Sequence, residues 1–534
     1  MRPFLRTVAG AVLAAGLAVS GQAFAAPPLR IAMTAADIPL TTGQPDNGFE
    51  GYRFLGYTIY DSLINWDLSS ADKASGLTPG LATSWKVDDA DKTKWIIHLR
   101  KGVKFHDGSA FNADSVVWNF EKLLNDKSPQ FDPKQAANGR GRIPTVAKVA
   151  KIDDMTVRIT TKEPDAWLPY NLSFIFFSSP AQWEKLGKSW EKFAYAPSGT
   201  GPFKLVKMVP RERAELVRFD GYWDKKRVAK SEKIILMPIP EPNTRSAALM
   251  SGQVDWIEAP APDMIPQLKS AGMAITSNVY PHTWPYQFSW LPDSPWQDIR
   301  VRKAANLAVD REGLKQLLGG MMVPAQGQVT ADHPWFGHPA FKIKYDPAEA
   351  KRLMKEAGYT PEKPLPVKIL ISASGSGQML PLPMNEFIQQ SLAEVGFKVT
   401  FEVMEWQALF ANWRKGVKDP GSRGGDATNV SYAWQDPYSA FYRFMHTKAQ
   451  PPGGFNWGLF SNPEYDKMLD EARATFDADK QNALLAKVHE KMVDDATWLW
   501  VAHDVGPRAM TQKVKGFVQA RSWFQDLTPV SVAP

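Results

Sequence analysis

The sequence predicts an α/β protein divided into two or more domains. Strand-like alternations and helix-like apolar periodicities interleave along the whole chain, the pattern of packed sheets and helices. The 534 residues exceed what one core fills, since single cores stop growing near ~250 to 300 residues. The 42 prolines and 37 glycines are scattered, with no low-complexity tract or internal repeat, so they mark turns inside ordered domains.

At the start, Arg2 and Arg6 precede an apolar stretch from Val8 to Val19, which ends in Ala23-Phe24-Ala25. Residues 1–25 therefore predict a secretory signal peptide, the apolar run being shorter than the ~18 to 20 residues of a bilayer span. A soluble mature chain from Ala26 is expected, with no membrane insertion. Cysteine is absent, which excludes disulfides, thiolate metal sites, cysteine nucleophiles and a lipid-modified cysteine anchor. The formal charge of +7 falls to +5 without Arg2 and Arg6, and acidic and basic residues are interspersed. No basic stripe for nucleic acid stands out.

Further along, Trp95, Ile97 and Leu99 alternate with Ile96 and His98, and Val157 and Ile159 repeat the pattern; both stretches predict strands with one buried face. Asn112 caps a helix carrying Val116, Phe120, Leu123 and Leu124. Asp298 caps the next, with Arg300, Arg302 and Lys303 expected on its outer face, solvated or paired. Asp346-Pro347-Ala348-Glu349 supplies a cap, a first-turn proline and a glutamate reaching back, and Gly358 the stop. Residues 365–403 read as a strand in PVKILI, a helix from Asn385 to Glu394 ended by Gly396, and a second strand through Phe397, Val399, Phe401 and Val403, the order of a parallel crossover. Helices follow Asn462-Pro463 and carry Leu484, Leu485, Val488 and Met492; their apolar stripes are core packing.

Residues 79–124, PGLATSWKVDDADKTKWIIHLRKGVKFHDGSAFNADSVVWNFEKLL, resemble the family 5 extracellular solute-binding proteins of ABC importers, which include oligopeptide-, dipeptide- and nickel-binding proteins. Further similar segments follow in family order at 197–207, 213–226, 298–314, 345–359 and 462–472. The resemblance implies a two-lobed periplasmic-binding-protein fold (type II) with an extra domain in the first lobe. Carried over by motif position, the first lobe comprises 27–60, 195–279 and 503–534, the extra domain 61–194 and the second lobe 280–502. It also implies a periplasmic monomer that captures a small-molecule or peptide ligand between its lobes and delivers it to ABC transporter permease subunits.

Enzyme motifs fail on inspection. His489-Glu490 has Val493 where a zincin needs its second histidine, and Gly187-Lys188-Ser189 has Gln182 where a phosphate loop needs glycine. Ser70-x-x-Lys73 and Ser189-x-x-Lys192 lack their K-T-G companion, and Gly199 and Gly201 lack the third glycine of a dinucleotide loop. His106 and Asp107 read as turn chemistry. His333 and His338 share a proline-rich loop without a carboxylate pair, so surface histidines are expected there. No catalytic residue, metal site or cofactor is expected.

Aromatic residues are abundant, with 20 tryptophans, 28 phenylalanines and 14 tyrosines, and some are expected to line a cleft. Residues 430–437, Val-Ser-Tyr-Ala-Trp-Gln-Asp-Pro, match the position of the family's ligand-facing loop. Peptide-binding members carry an aspartate four residues before the proline, where this chain has Ala433. An arginine that holds the peptide carboxylate in a dipeptide-binding member aligns with Gly375. With both anchors missing, the ligand is either a peptide held differently or a non-peptide such as an opine, modified amino acid or saccharide. The candidate ligand contacts are Trp434, Asp436, Tyr432 and Trp406, with Glu50 and Arg53 from the first lobe. The competing assignment for each is a core tryptophan or a turn-capping charge, Asp436-Pro437 starting a helix. An exported hydrolase and a ligand-binding sensor are the alternatives in function.

Overall fold

The computed structural model describes residues 27–534 apart from 47, 376 and 453. The expected signal peptide lies outside the described residues. Among those residues the strands form two large mixed sheets, one four-stranded antiparallel sheet and two two-stranded antiparallel pairs.

The first large sheet runs Ala274–Thr276, Arg508–Met510, Trp256–Glu258, Leu29–Met33, Lys233–Pro238, Arg213–Arg218, Phe203–Val209. Leu29–Met33 sits inside it, parallel to both neighbours, and Leu29, Ile31 and Ala32 are fully buried, as a strand covered on both faces must be. The second runs Met322–Pro324, Trp498–Asp504, His282–Phe288, Ala427–Asn429, Leu365–Ser372, Phe397–Met404, with Tyr432–Ala433 added beside His282–Phe288. Its two central strands, His282–Phe288 and Trp498–Asp504, are buried at every position.

The chain passes between these sheets along two short segments. One joins Thr276 to His282 and the other joins Asp504 to Arg508, and they are bonded to each other, the Asn278 N–H donating to the Val505 carbonyl at 2.9 Å. The antiparallel sheet Ala82–Val87, Lys94–Leu99, Thr156–Thr161, Val146–Asp153 stands apart with its own core, in which Trp95, Ile97, Leu99, Val157 and Ile159 face the helix Ala113–Leu124. Asn112 caps that helix reciprocally with Ser115. The result is two lobes, each built on a mixed sheet, and an extra domain.

The crossover predicted over 365–403 is present, Leu365–Ser372 pairing in parallel with Phe397–Met404. Its helix begins at Pro381, earlier than Asn385, because a proline suits the first helical turn. Asp346 caps Pro347–Glu356 as expected, but the Glu349 carboxylate turns away to Arg352 instead of reaching back. Arg302 departs most from expectation. It is buried and donates to the carbonyls of Asp495, Trp296 and Gln297, filling the end of a neighbouring helix and a turn with charge-assisted bonds. The apolar stripes of Pro463–Ala474 and Ala478–Asp494 are buried through Tyr465, Leu469, Leu485, Val488 and Met492.

Candidate functional site

Two cavities open between the lobes, on either side of the Arg53–Tyr280–His282 region. The larger, about 520 Å³, is walled by Pro240, Pro242, Pro260 and Pro262 on one lobe and by Leu317, Leu318 and Pro381–Pro383 on the other. Its charged groups are largely committed to the protein: Arg245 donates to four backbone carbonyls, and Glu258 pairs with Arg53 at 2.7 Å and Arg508 at 2.9 Å. The smaller, about 60 Å³, holds only a couple of waters' worth of space, yet aromatic rings and arginines without a carboxylate partner gather there. Volume favours the first and chemistry the second; a ligand is oriented by convergent polar groups on apolar walls, so the second is the candidate site.

Three stretches of the second lobe build its wall. Glu405 accepts from the N–H groups of Gln407 and Ala408 and starts the helix Trp406–Lys415, which buries Trp406, Leu409 and Trp413. Phe410 and Arg414 lie four residues apart on that helix, and the guanidinium sits 4.9 Å from the Phe410 ring centre. Tyr432–Ala433, paired to the hinge-proximal strand at Thr283 and His282, brings Tyr432 and Ala433 to the same cavity. Arg443 ends a wide helical turn, Tyr438–Tyr442, whose start is fixed by Asp436 accepting from the Ser439 N–H at 2.8 Å.

From the first-lobe side come Asp46, Tyr52, Trp523 and, from the extra domain, Arg142. The lobes touch around this cavity. Arg142 Nη1 donates to Ser439 Oγ at 2.9 Å, Arg414 Nη2 to Asn138 Oδ1 at 3.0 Å, and the Trp523 N–H to Gln435 Oε1 at 2.8 Å.

Arg443 and Arg414 share the ring of Phe455, at 3.9 and 5.4 Å from its centre. Among the described residues neither they nor Arg142 has a carboxylate oxygen within 4.0 Å. Burial pushes Arg443 down to about 9, with the nearby Arg142 adding to the shift, and burial also lowers Arg414. Asp436 lies behind the arginines, fully buried, its pKa raised by burial against the opposing pull of the Ser439 bond and of Arg142 and Arg443.

The six expected contacts separate. Trp406 and Tyr432 line the small cavity. Arg53 lines the large one while bound to Glu258 and to the Trp523 carbonyl. Glu50 lines neither: its Oε1 accepts from the Thr34 N–H at 2.5 Å, and burial raises its pKa to about 7. Trp434 and Asp436 also line neither cavity. Trp434 is 4% exposed and packs edge-on against His333 and His503. His333 is accordingly half-buried against Trp335 and Trp434 and not a free surface residue. Among the described residues no group of three or more His, Cys, Asp or Glu is placed to hold a metal.

Gly375, aligned with the missing arginine anchor, has φ of 144°, and a Cβ there would lie 2.6 Å from the Trp406 ring. The indole occupies the space a side chain would need. The cationic cluster of Arg142, Arg414 and Arg443 was not foreseen, because its members are isolated in sequence. The one local hint is Arg443 within the aromatic stretch YSAFYRF.

The family model of the bacterial extracellular solute-binding proteins, family 5 Middle, matches residues 76–456. The chain belongs to that family. A glutathione-binding protein of Pectobacterium atrosepticum is 29% identical over 479 residues, covering 87% of each chain. The dipeptide-binding protein of Escherichia coli is 27% identical, covering 89% of this chain and 90% of its own. Among solved structures, a periplasmic binding protein of Helicobacter pylori in complex with the peptide STSA superposes with a TM-score of 0.82 at 22% identity, covering 95% of this chain and 98% of that one. A binding protein in complex with mannopinic acid superposes at 0.77, covering 96% of this chain. These structures establish the type II binding-protein fold. Family 5 members are binding proteins of ABC importers, which disfavours the exported-hydrolase alternative. No described helix is long and apolar enough to cross a membrane.

Proposed function

We propose that this protein is the periplasmic solute-binding component of an ABC importer, capturing a small polar or peptide-like solute in the cavity shared by Trp406, Tyr432 and Arg142. The carrying observation is that both lobes contribute polar and aromatic side chains to one cavity beside a two-segment connection. In such an arrangement only the closed form contacts ligand from both sides, so ligand favours closure. Trp406 and Tyr432 are the direct contacts in this proposal. Trp434, Asp436, Glu50 and Arg53 act through them, as supports of the cavity and of the hinge.

The proposal includes export with cleavage after Ala25, a monomeric mature protein, and lobes divided at residues 27–60, 195–279 and 503–534 against 280–502, with 61–194 as the extra domain. The solutes named for similar proteins define the first screen: glutathione, a Met-Leu dipeptide and mannopinic acid. Solution scattering of the mature protein should show a smaller radius of gyration on binding, with every solute recovered intact. An unchanged profile across these and a pooled library of peptides, opines and saccharides refutes the proposal. Turnover of a bound solute would instead support a hydrolase.

A further inference from the structure

We infer that the cavity selects a di-acid, a solute whose two anionic groups bridge Arg142 on one lobe and the Arg414–Arg443 pair on the other. This rests on the solute-binding reading above and narrows it to a chemical class.

Three guanidiniums line the cavity, while one carboxylate, Asp46, lines it and a second, Asp436, lies behind, so cations are in excess. The cavity's histidine adds no competing acceptor of charge, since burial lowers His282 to about 3 and leaves it neutral. Arg443 is buried to 94%; its side chain donates no hydrogen bond to any described residue and has a buried Nε–H without an acceptor, its backbone N–H alone bonding to the Tyr438 and Phe441 carbonyls, and the buried Arg414 Nε–H also lacks an acceptor. Native proteins rarely leave such donors unmade, because each unsatisfied buried charge-bearing group is costly. Rings of Phe455, Phe444 and Trp413 surround the Arg443 guanidinium, so cation–π contacts hold it in place without consuming its donors.

Geometry then sets the class. Guanidinium forks match carboxylates, and similar planar acids, with paired bonds. The fork on Arg142 belongs to the opposite side of the cleft from Arg414 and Arg443, so one acid group satisfies one wall and a second is needed for the other. A free ammonium is not required, since Ala433 lines the cavity at the position where peptide-binding relatives offer a carboxylate. A cation would instead add its charge to three already present.

N-acetylglutamate, N-acetylglutamine and N-acetylglutamine amide carry two, one and no acid groups on nearly the same frame. Calorimetry with the mature protein should rank them in that order, each lost acid weakening binding roughly tenfold or more. Raising the salt should weaken the di-acid and leave the amide unaffected. Arg443→Gln and Arg142→Gln, from opposite sides, should each lower di-acid affinity by a similar factor with the melting temperature retained; if one variant fails to fold, the other decides. Equal affinity for the neutral amide, or unchanged di-acid affinity in a folded variant, overturns the inference. So does failure of all three probes to bind. Lobe closure in scattering with a neutral or cationic solute overturns the di-acid class while leaving the solute-binding reading intact.

Discussion

Replacing Glu50 by glutamine isolates one buried carboxyl group whose titration is coupled to folding. Burial, reinforced by the neighbouring Glu258, raises its pKa from 4.5 to about 7, against the opposing bond from the Thr34 N–H and the charge of Arg245. Between those two values the folded protein binds a proton that the unfolded chain has released, so stability falls as pH rises. The contribution is undiminished below the unfolded value and is fully lost above the folded one. Integrating the linkage from pH 5 to pH 8 gives a loss of about 2.5 kcal/mol from this group. Glutamine does not titrate. It keeps the acceptor for Thr34 but places an amide N–H₂ where Glu50 Oε2 has no hydrogen-bond partner, a pH-independent cost of ~1 to 3 kcal/mol. Urea unfolding of Glu50→Gln and the parent, followed by tryptophan fluorescence, should therefore show the variant gaining on the parent by about 2.5 kcal/mol from pH 5 to pH 8. A difference that stays flat with pH, or shrinks, refutes the assignment of a protonated buried carboxyl to Glu50.

Two further substitutions separate packing from recognition. Trp434→Ala removes a ring that is 4% exposed and should cost ~3 to 5 kcal/mol of stability, with affinity for a bound solute changed less than about threefold; unaltered melting with lost binding would move Trp434 into direct contact with ligand. Gly375→Ala drives a Cβ to 2.6 Å from Trp406 at a φ of 144°, whereas Gly424→Ala, at a φ of 70°, meets open space and bears backbone strain of ~1 to 2 kcal/mol alone. The first should weaken solute binding and alter tryptophan fluorescence, the second only lower the melting temperature; equal effects on binding would refute the packing role of Gly375.

Periodicity revealed the elements whose signals are local. Asn112, Asp346 and Asn462 mark helix starts because a capping side chain bonds within three residues of itself, and the 365–403 crossover declares itself by an apolar run, a helix and an alternation in order. Arg302 escaped because nothing nearby in sequence tells a helix-borne arginine that it will meet the carbonyls of Trp296 and Asp495. The candidate site was half legible. Trp406 and Tyr432 could be placed by their position after a strand and within the 430–437 loop. The same loop offers Asp436, yet its carboxylate serves the turn at Ser439, the local use its Asp-Pro context also allows. Arg142, Arg414 and Arg443 converge from separations of hundreds of residues and tens of residues, and only the packing of the extra domain against the second lobe brings them together.

The strand Arg508–Met510 lies inside the first sheet, between Trp256–Glu258 and Ala274–Thr276. That position imposes an order on folding during synthesis, when the N-terminal end emerges first. The five strands from Phe203–Val209 to Trp256–Glu258 can pair without Arg508–Met510, but Ala274–Thr276 joins the first sheet only when that strand arrives, while the second lobe, contiguous in sequence, has every strand it needs once Asp504 has appeared. Such long-separation pairing makes closure of the first sheet slow. The second lobe is thus the one equipped to form early, and the half of the cavity bearing Arg414 and Arg443 exists before the half that bears Asp46 and Trp523 can be completed.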